Sequence, residues 1–197
     1  MGQNNKDKLF EVADRQQGYF TSNQAEVCGI HRSHFQRFLK SGEWIKEFRG
    51  IYRLSRYPIQ ERAELVLWSL WSRNKRGEPQ GVWSHETALD IYEVTDVMPA
   101  KMHMTVPKGF RRNQSIPEVL VLHYQDLPLE DIEQRQGYRV TKLIKTLIDI
   151  AEEQGISQDQ LKLGVHQAIN QGLISRQEIQ RDKRAHILLG VLDGNTV

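Results

Sequence analysis

Apolar residues first cluster at Leu9, Phe10, Val12 and Ala13, a short helical stripe closed by Gly18. Tyr19-Phe20 follows as a brief extended piece. Thr21 or Ser22 then caps a second helix from Asn23 to Cys28, with Ala25 and Val27–Cys28 turned inward. Gly29 breaks that helix. From Ile30 to Ser41 the residues Ile30, Phe35, Phe38 and Leu39 share one side, which predicts a third helix stopped by Gly42. The segment EWIKEFRGIYRLS alternates on both sides of Arg49-Gly50, the pattern of a β-hairpin with a tight glycine turn.

Pro58 fits the first turn of a further helix, whose buried stripe is Ala63, Leu65–Leu67, Leu70 and Trp71. NKRGEPQ is a polar turn. Gly81-Val82-Trp83 leads to Ser84, a good N-cap for a helix over His85–Tyr92. KMHMTV (101–106) and VLVLH (119–123) alternate as strands, and Gly137 to Val140 is a third candidate. Thr141 opens a helix with Leu143, Ile144, Leu147, Ile148 and Ala151 at helical spacing. Ser157 with Gln160, and Ser175 with Glu178, have capping-box spacing and start two more helices. A last helix is expected from Ala185 to Leu192. These elements predict an α+β protein: an N-terminal winged helix-turn-helix over residues 1–57, then a mixed α/β body over 58–197 with a helical C-terminus.

Composition narrows the class. The chain has 197 residues, 39% of them hydrophobic and 26% charged, with one cysteine. Its mean hydropathy is −0.59, ordinary for a soluble globular chain. The longest apolar run, Leu65–Trp71, is broken by Ser69 and is far too short for a membrane span. MGQNNKDKLF carries no secretory pattern, and Lys6 stands where a myristoylation signal needs Ser or Thr. The expected compartment is the cytoplasm, with no membrane association.

The net charge of +2 hides an asymmetry. Up to Tyr57 there are ten Lys and Arg against six Asp and Glu, and beyond it seventeen against nineteen. A basic first third suggests a nucleic-acid module on a slightly acidic body. The third helix turns His31, Arg32, Ser33, His34, Gln36, Arg37 and Lys40 outward, and no Asp or Glu interrupts them between Cys28 and Gly42. Such donors read base edges in the major groove or grip phosphates, whereas a merely solvated face mixes signs. Arg49 and Arg53 fall on the hairpin, the wing.

Tests for chemistry are mostly negative. There is no Gly-rich phosphate loop, no His-Glu-x-x-His helix and no Cys-based zinc spacing, so no metal and no cofactor are expected. His31 and His34 lack a nearby acid and read as DNA-facing donors. Ser84-His85-Glu86 lacks a nucleophile turn and reads as a cap, with Glu86 at the positive helix end. His103 and His123 read as hydrogen-bonded strand residues, and Cys28 as a small core residue. No catalytic residue is assigned. The loop VPKGFRRN places Lys108, Arg111 and Arg112 around Gly109, where they can hold an anion, an RNA backbone or an acidic protein surface.

The stretch QGYFTSNQAEVCGIHRSHFQRFLKSGEWIKEFRGIYRLSRYP resembles the N-terminal winged helix of AbiEi-type antitoxins of bacterial type IV toxin–antitoxin systems. WSHETALDIYEVTDVMPAKMHMTVPKGFRR and VLVLHYQDLPLEDIEQRQGYRVTKLIKTLIDIA are similar to the same family's C-terminal region, so the likeness spans residues 16 to 152. The resemblance implies a repressor of its own operon that neutralises a toxin of the nucleotidyltransferase class. DNA would be bound as duplex at repeats in its own promoter, and a stable antitoxin–toxin complex is not assumed. Carried over by position, the resemblance assigns DNA contact to His31, Arg32, Ser33, His34, Gln36 and Arg37, and the wing to Lys46, Arg49 and Arg53. It assigns antitoxicity to the body without naming residues there, and Lys108, Arg111 and Arg112 are the candidates. Two alternatives stand beside it: an effector-responsive winged-helix regulator without a toxin, and a winged-helix-fused nuclease built on Asp126, Glu130 and Asp131.

Overall fold

The computed structural model describes residues 3–113 and 115–193 and shows an α+β chain in two units. One unit is built from the chain up to Gly81 together with Gln134–Tyr138. The other comprises Val82–Glu133 and the chain from Arg139 onward. The junction placed at Pro58 from sequence therefore lies inside the first unit.

The first unit opens with α1 (Gln3–Asp14), β1 (Tyr19–Thr21) and α2 (Ser22–Val27). Gly18 sits between them at φ +87°, and a Cβ there would lie 2.6 Å from Tyr57 Cγ, so both backbone and space demand glycine. Thr21 caps α2 in a full capping box. Its Oγ1 accepts from Gln24 N–H at 3.2 Å, and Gln24 Oε1 accepts from Thr21 N–H at 2.8 Å. Ala25 and Cys28 fill the inner face of α2, and Val27, expected inside, is turned outward. The third helix starts as a 3-10 turn, Arg32–His34, and continues as α3 (Phe35–Lys40).

The hairpin is β2 (Trp44–Phe48) and β3 (Ile51–Leu54), joined at Arg49-Gly50 with Gly50 at φ +72°. The sheet order is β1-β3-β2, antiparallel throughout, with a register shift between Lys46 and Phe48. Leu9, Phe20, Ile30, Phe35, Phe38 and Trp44 form the core. Phe38 stacks on Trp44 at 4.5 Å between ring centroids, and Phe20 meets Trp44 edge-on at 4.7 Å. Each such pair adds about 0.5–1.5 kcal/mol beyond burial. The helix predicted from Pro58 begins only at α4 (Ala63–Trp71), because Arg62 before it is left-handed at φ 64°.

The second unit holds a five-stranded sheet in the order β6-β5-β4-β8-β7. Its strands are β4 (Val82–Trp83), β5 (Met102–Val106), β6 (Leu120–Tyr124), β7 (Ile132–Gln134) and β8 (Arg139–Thr141). β4 pairs antiparallel with β5 and parallel with β8, and β5 pairs parallel with β6. α5 (His85–Tyr92) follows β4 directly. After β8 come α6 (Leu143–Glu153), α7 (Gln158–Asn170), α8 (Arg176–Arg181) and α9 (His186–Asp193). Leu89, Leu147, Val165, Ile179 and Leu188 bury the faces of these helices against one another. Both capping boxes foreseen from spacing are present, Ser157 with Gln160 and Ser175 with Glu178.

Candidate nucleic-acid interface and a buried histidine cluster

The outward donors of the third helix are carried by two short pieces. His31 is the N-cap of the 3-10 turn, and its Nδ1 accepts from Ser33 N–H at 3.3 Å. That use of Nδ1 leaves Nε2 as the nitrogen available outward. His31, Arg32, Ser33, Gln36, Arg37 and Lys40 are exposed and His34 is half-buried, while Phe35 and Phe38 face the core. The helix is anchored by its aromatic side and presents its polar one. The Arg37 guanidinium lies 5.1 Å from the Phe38 ring centroid, a cation–π contact at the edge of this face.

Three acids beside this surface are ion-paired. Glu26 Oε1 is 2.9 Å from Arg32 Nε, Glu43 Oε2 is 2.7 Å from Lys6 Nζ, and Glu47 Oε1 is 2.7 Å from Arg53 Nε. The Lys6 ammonium accordingly holds the Glu43 carboxyl below the usual carboxylate range. On the hairpin, Lys46 and Arg49 are exposed. Arg53 is not: its side chain is 10% exposed and committed to Glu47, so an outward wing contact from Arg53 conflicts with the structure. β3 alternates inside and outside, and Arg53 follows Ile51 onto the inner side.

In the second unit, the basic loop after β5 is less open than its sequence suggests. Lys108 and Arg111 are exposed, but Arg111 Nη1 donates to the Phe110 carbonyl at 2.8 Å. Arg112 is half-buried, and burial pushes its pKa down. Asp126 Oδ1 accepts from Lys108 N–H at 3.1 Å, which pins the loop to the end of β6.

Asp126, Glu130 and Asp131 do not form a metal-binding carboxylate group. Asp131 is buried and grips Arg184 through two hydrogen bonds, at 2.7 and 3.0 Å. Arg184 also holds Asp182, so this network fastens the C-terminal helices to the turn before β7.

Sequence reasoning missed a cluster built by β5, β6, α5 and the end of α6. Parallel pairing sets Thr105 opposite His123 and His103 opposite Val121, so His103, Thr105 and His123 lie on one face of the sheet. Ser84 stands at the N-cap position of α5, yet its hydroxyl makes no cap bond. Instead Ser84 Oγ lies 2.9 Å from His85 Nδ1 and accepts from Thr105 Oγ1 at 2.8 Å. The cause is local backbone: His85 has φ 52°, a left-handed conformation uncommon for histidine, and this turns its ring onto that of His123. The two rings stack with centroids 3.6 Å apart.

His123 Nε2 is 3.1 Å from His103 Nδ1, which is 2.9 Å from Glu86 Oε2. Glu153, half exposed at the end of α6, lies 3.3 Å from His85 Nε2 and 3.4 Å from His123 Nδ1. Burial lowers the pKa of His85, with the Glu153 charge opposing, and burial together with the His85 charge lowers that of His123. Four elements supply these residues, so no linear motif announces them. The one available signal was the recurrence of histidine on adjacent strands. Along α6, Lys145 and Asp149 form a buried ion pair, and burial raises the Asp149 carboxyl despite it. Cys28 is buried in the first unit, and burial pushes its thiol up, which suits a packed rather than reactive residue.

The N-terminal unit thus joins helices to a three-stranded antiparallel sheet and presents one donor-rich helix to solvent. Residues 7–55 match the family model of the transcriptional regulator AbiEi antitoxin. No curated protein matches the sequence. Among solved structures, the crystal structure of the RV2827C protein from Mycobacterium tuberculosis is similar in fold. It aligns with a TM-score of 0.58 at 12% identity, covering 97% of this chain and 77% of that one. No described helix is long and apolar enough to cross a membrane.

Proposed function

We propose that the protein is a cytoplasmic DNA-binding autorepressor and antitoxin of a type IV toxin–antitoxin system, and not an enzyme. The first unit acts as a winged helix-turn-helix. The segment His31–Lys40 enters the major groove of duplex promoter DNA, and Lys46 and Arg49 meet phosphates from the hairpin. The observation that carries this reading is the run of exposed donors from His31 to Lys40, with Glu26, Glu43 and Glu47 beside it ion-paired. Such a donor-rich surface attracts a polyanion. The family match over residues 7–55 supports the regulator role. The body would carry antitoxicity against a nucleotidyltransferase-class toxin, with Lys108 and Arg111 as its outward cations.

The test is binding of the full chain to its promoter fragment and to scrambled duplex across a salt series. Specific binding at moderate salt supports the reading, and equal or absent binding at low salt removes it.

A second reading has one observation in its favour. A cavity of about 730 Å³ in the first unit is lined by Leu9, Phe10, Ile30, Phe38, Trp44 and Tyr57, with Lys6, Arg56, Asp7, Asp14 and Glu43 at its polar side. That size and lining suit a small, largely apolar effector. A regulator released from DNA by such a molecule, without a toxin, is the alternative.

A further inference from the structure

We infer that His85, His123 and Glu153 form a binding site for a divalent transition metal of the zinc class. The potential ligand atoms of the three residues all lie within 4.8 Å of one another. Glu153 approaches His85 Nε2 at 3.3 Å and His123 Nδ1 at 3.4 Å. Tetrahedral zinc, with bonds of about 2.0–2.2 Å, holds neighbouring ligand atoms about 3.3–3.5 Å apart. The two Glu153 contacts, Oε1 to His85 and Oε2 to His123, have that spacing, and a rotation of the stacked rings turns both nitrogens onto one ion.

A plain hydrogen-bonded cluster explains these atoms less well. His85 Nε2 is buried and makes no hydrogen bond, since its approach to Glu153 lacks hydrogen-bond geometry. The opposite nitrogen of each imidazole is held by a partner, as metal-bound histidines require. His85 Nδ1 faces Ser84 Oγ, which Thr105 secures in turn. His123 Nε2 lies 3.1 Å from His103 Nδ1, the same nitrogen that Glu86 Oε2 approaches at 2.9 Å. With Nδ1 of His85 donating to Ser84 Oγ, His85 Nε2 keeps its lone pair for an ion beside Glu153.

The left-handed backbone of His85 at φ 52° is what brings its ring into the group, a strained conformation of the kind that collects at functional positions. Glu153 is 54% exposed, which gives an ion a route in from solvent. Two histidines and one carboxylate leave a fourth position for water or a further ligand.

The experiment uses the full-length protein, freed of metal with chelator and dialysed against Zn²⁺ or Co²⁺. The bound metal is counted by mass spectrometry, and the visible spectrum of the Co²⁺ form reports the coordination. The expected result is one ion per chain with tetrahedral or five-coordinate Co²⁺ bands. Glu153→Gln and His123→Gln should each weaken binding at least tenfold. Glu153→Gln changes a half-exposed side chain, and circular dichroism verifies that it folds. His186→Ala, an exposed histidine outside the cluster, should leave binding unchanged. Absence of a stoichiometric ion in the wild type overturns the proposal. So does binding that survives Glu153→Gln and His123→Gln in folded protein, or that is lost in His186→Ala.

Discussion

Arg53 and Glu47 close an ion pair inside the hairpin sheet, Nε to Oε1 at 2.7 Å, with the guanidinium 10% exposed and the carboxylate 25%. The register shift between Lys46 and Phe48 makes Glu47 the extra residue of β2, which frees its side chain to reach Arg53 on the neighbouring strand. The pair separates two arginines that look equivalent in sequence. Arg53→Ala should cost about 1.5–3 kcal/mol of stability, the worth of a largely buried charged hydrogen bond. Arg49→Ala should stay within about 0.5 kcal/mol of wild type yet lower the slope of log K against log salt by about one unit. Thermal melts and a salt titration of duplex binding check both halves. A larger salt-slope change for Arg53→Ala at unchanged stability would reverse the assignment.

The pair Glu26–Arg32 gives a prediction of opposite sign. Glu26 is the last acid before the donor run and lies 2.9 Å from Arg32, whose side chain is 67% exposed. In the free protein the carboxylate holds the guanidinium, and on DNA it repels phosphate. Glu26→Gln should therefore tighten duplex binding at low salt with little change in stability, since exposed ion pairs contribute about 0–1 kcal/mol. Arg37→Ala should weaken binding by about 1–3 kcal/mol if Arg37 reads a base, and only on the cognate sequence. Competition between promoter and scrambled duplex measures both.

How far these features were legible in the sequence depends on the range of the forces behind them. Caps and glycine turns are local. Ser157 with Gln160, Ser175 with Glu178 and the Arg49-Gly50 turn stand where spacing placed them, and of the two candidate caps Thr21 and Ser22 it is Thr21 that caps α2. The start of α4 was misjudged because Pro58 suits a helix start in isolation, while the chain stays irregular to a left-handed Arg62. Strand β7 was missed because Ile132-Glu133-Gln134 is too short to show alternation. The histidine cluster was hidden for a different reason: it depends on strand register and on one inverted backbone angle, and neither leaves a linear trace. Arg53 was misread as outward because charge predicts exposure only until a partner is found across the sheet.

The Ser175–Glu178 box makes a pH prediction. Glu178 accepts from Ser175 N–H and Oγ–H, both at 2.7 Å, and these bonds hold its carboxyl below the usual range. A carboxylate whose folded pKa is depressed stabilises the fold above its unfolded pKa, and that contribution is lost as pH falls through the folded one. Amide exchange in α8 should therefore accelerate as the solution is acidified through and below the carboxylate range. Glu178→Gln should remove this acid dependence while keeping the cap, as Gln160 does beside Ser157. Ser175→Ala should cost about 0.5–2 kcal/mol at every pH. An unchanged acid dependence in Glu178→Gln would place its origin elsewhere.

Repression and antitoxicity should separate by substitution, not by cutting the chain. A cut at Pro58 would strip α4 from β1 and β3, against which it packs, and would expose Leu65, Leu70 and Trp71. Residues 134–138 also belong to the first unit, with Gln17 Nε2 donating to the Gln136 carbonyl at 3.0 Å, so neither half is a continuous piece. Two full-length variants avoid this. One carries Gln36→Ala, Arg37→Ala and Lys40→Ala, all exposed positions, and should lose promoter repression while still rescuing growth against the adjacent toxin. The other carries Lys108→Ala and Arg111→Ala, and should repress normally but rescue poorly. Each charge-assisted bond lost there is worth about 1.5–3 kcal/mol, a tenfold effect or more on the antitoxic contact. A promoter reporter and a growth assay in one strain read both functions at once. Full rescue by the loop variant removes Lys108 and Arg111 from the mechanism, and loss of rescue in the helix variant would show that antitoxicity also depends on the DNA-binding face.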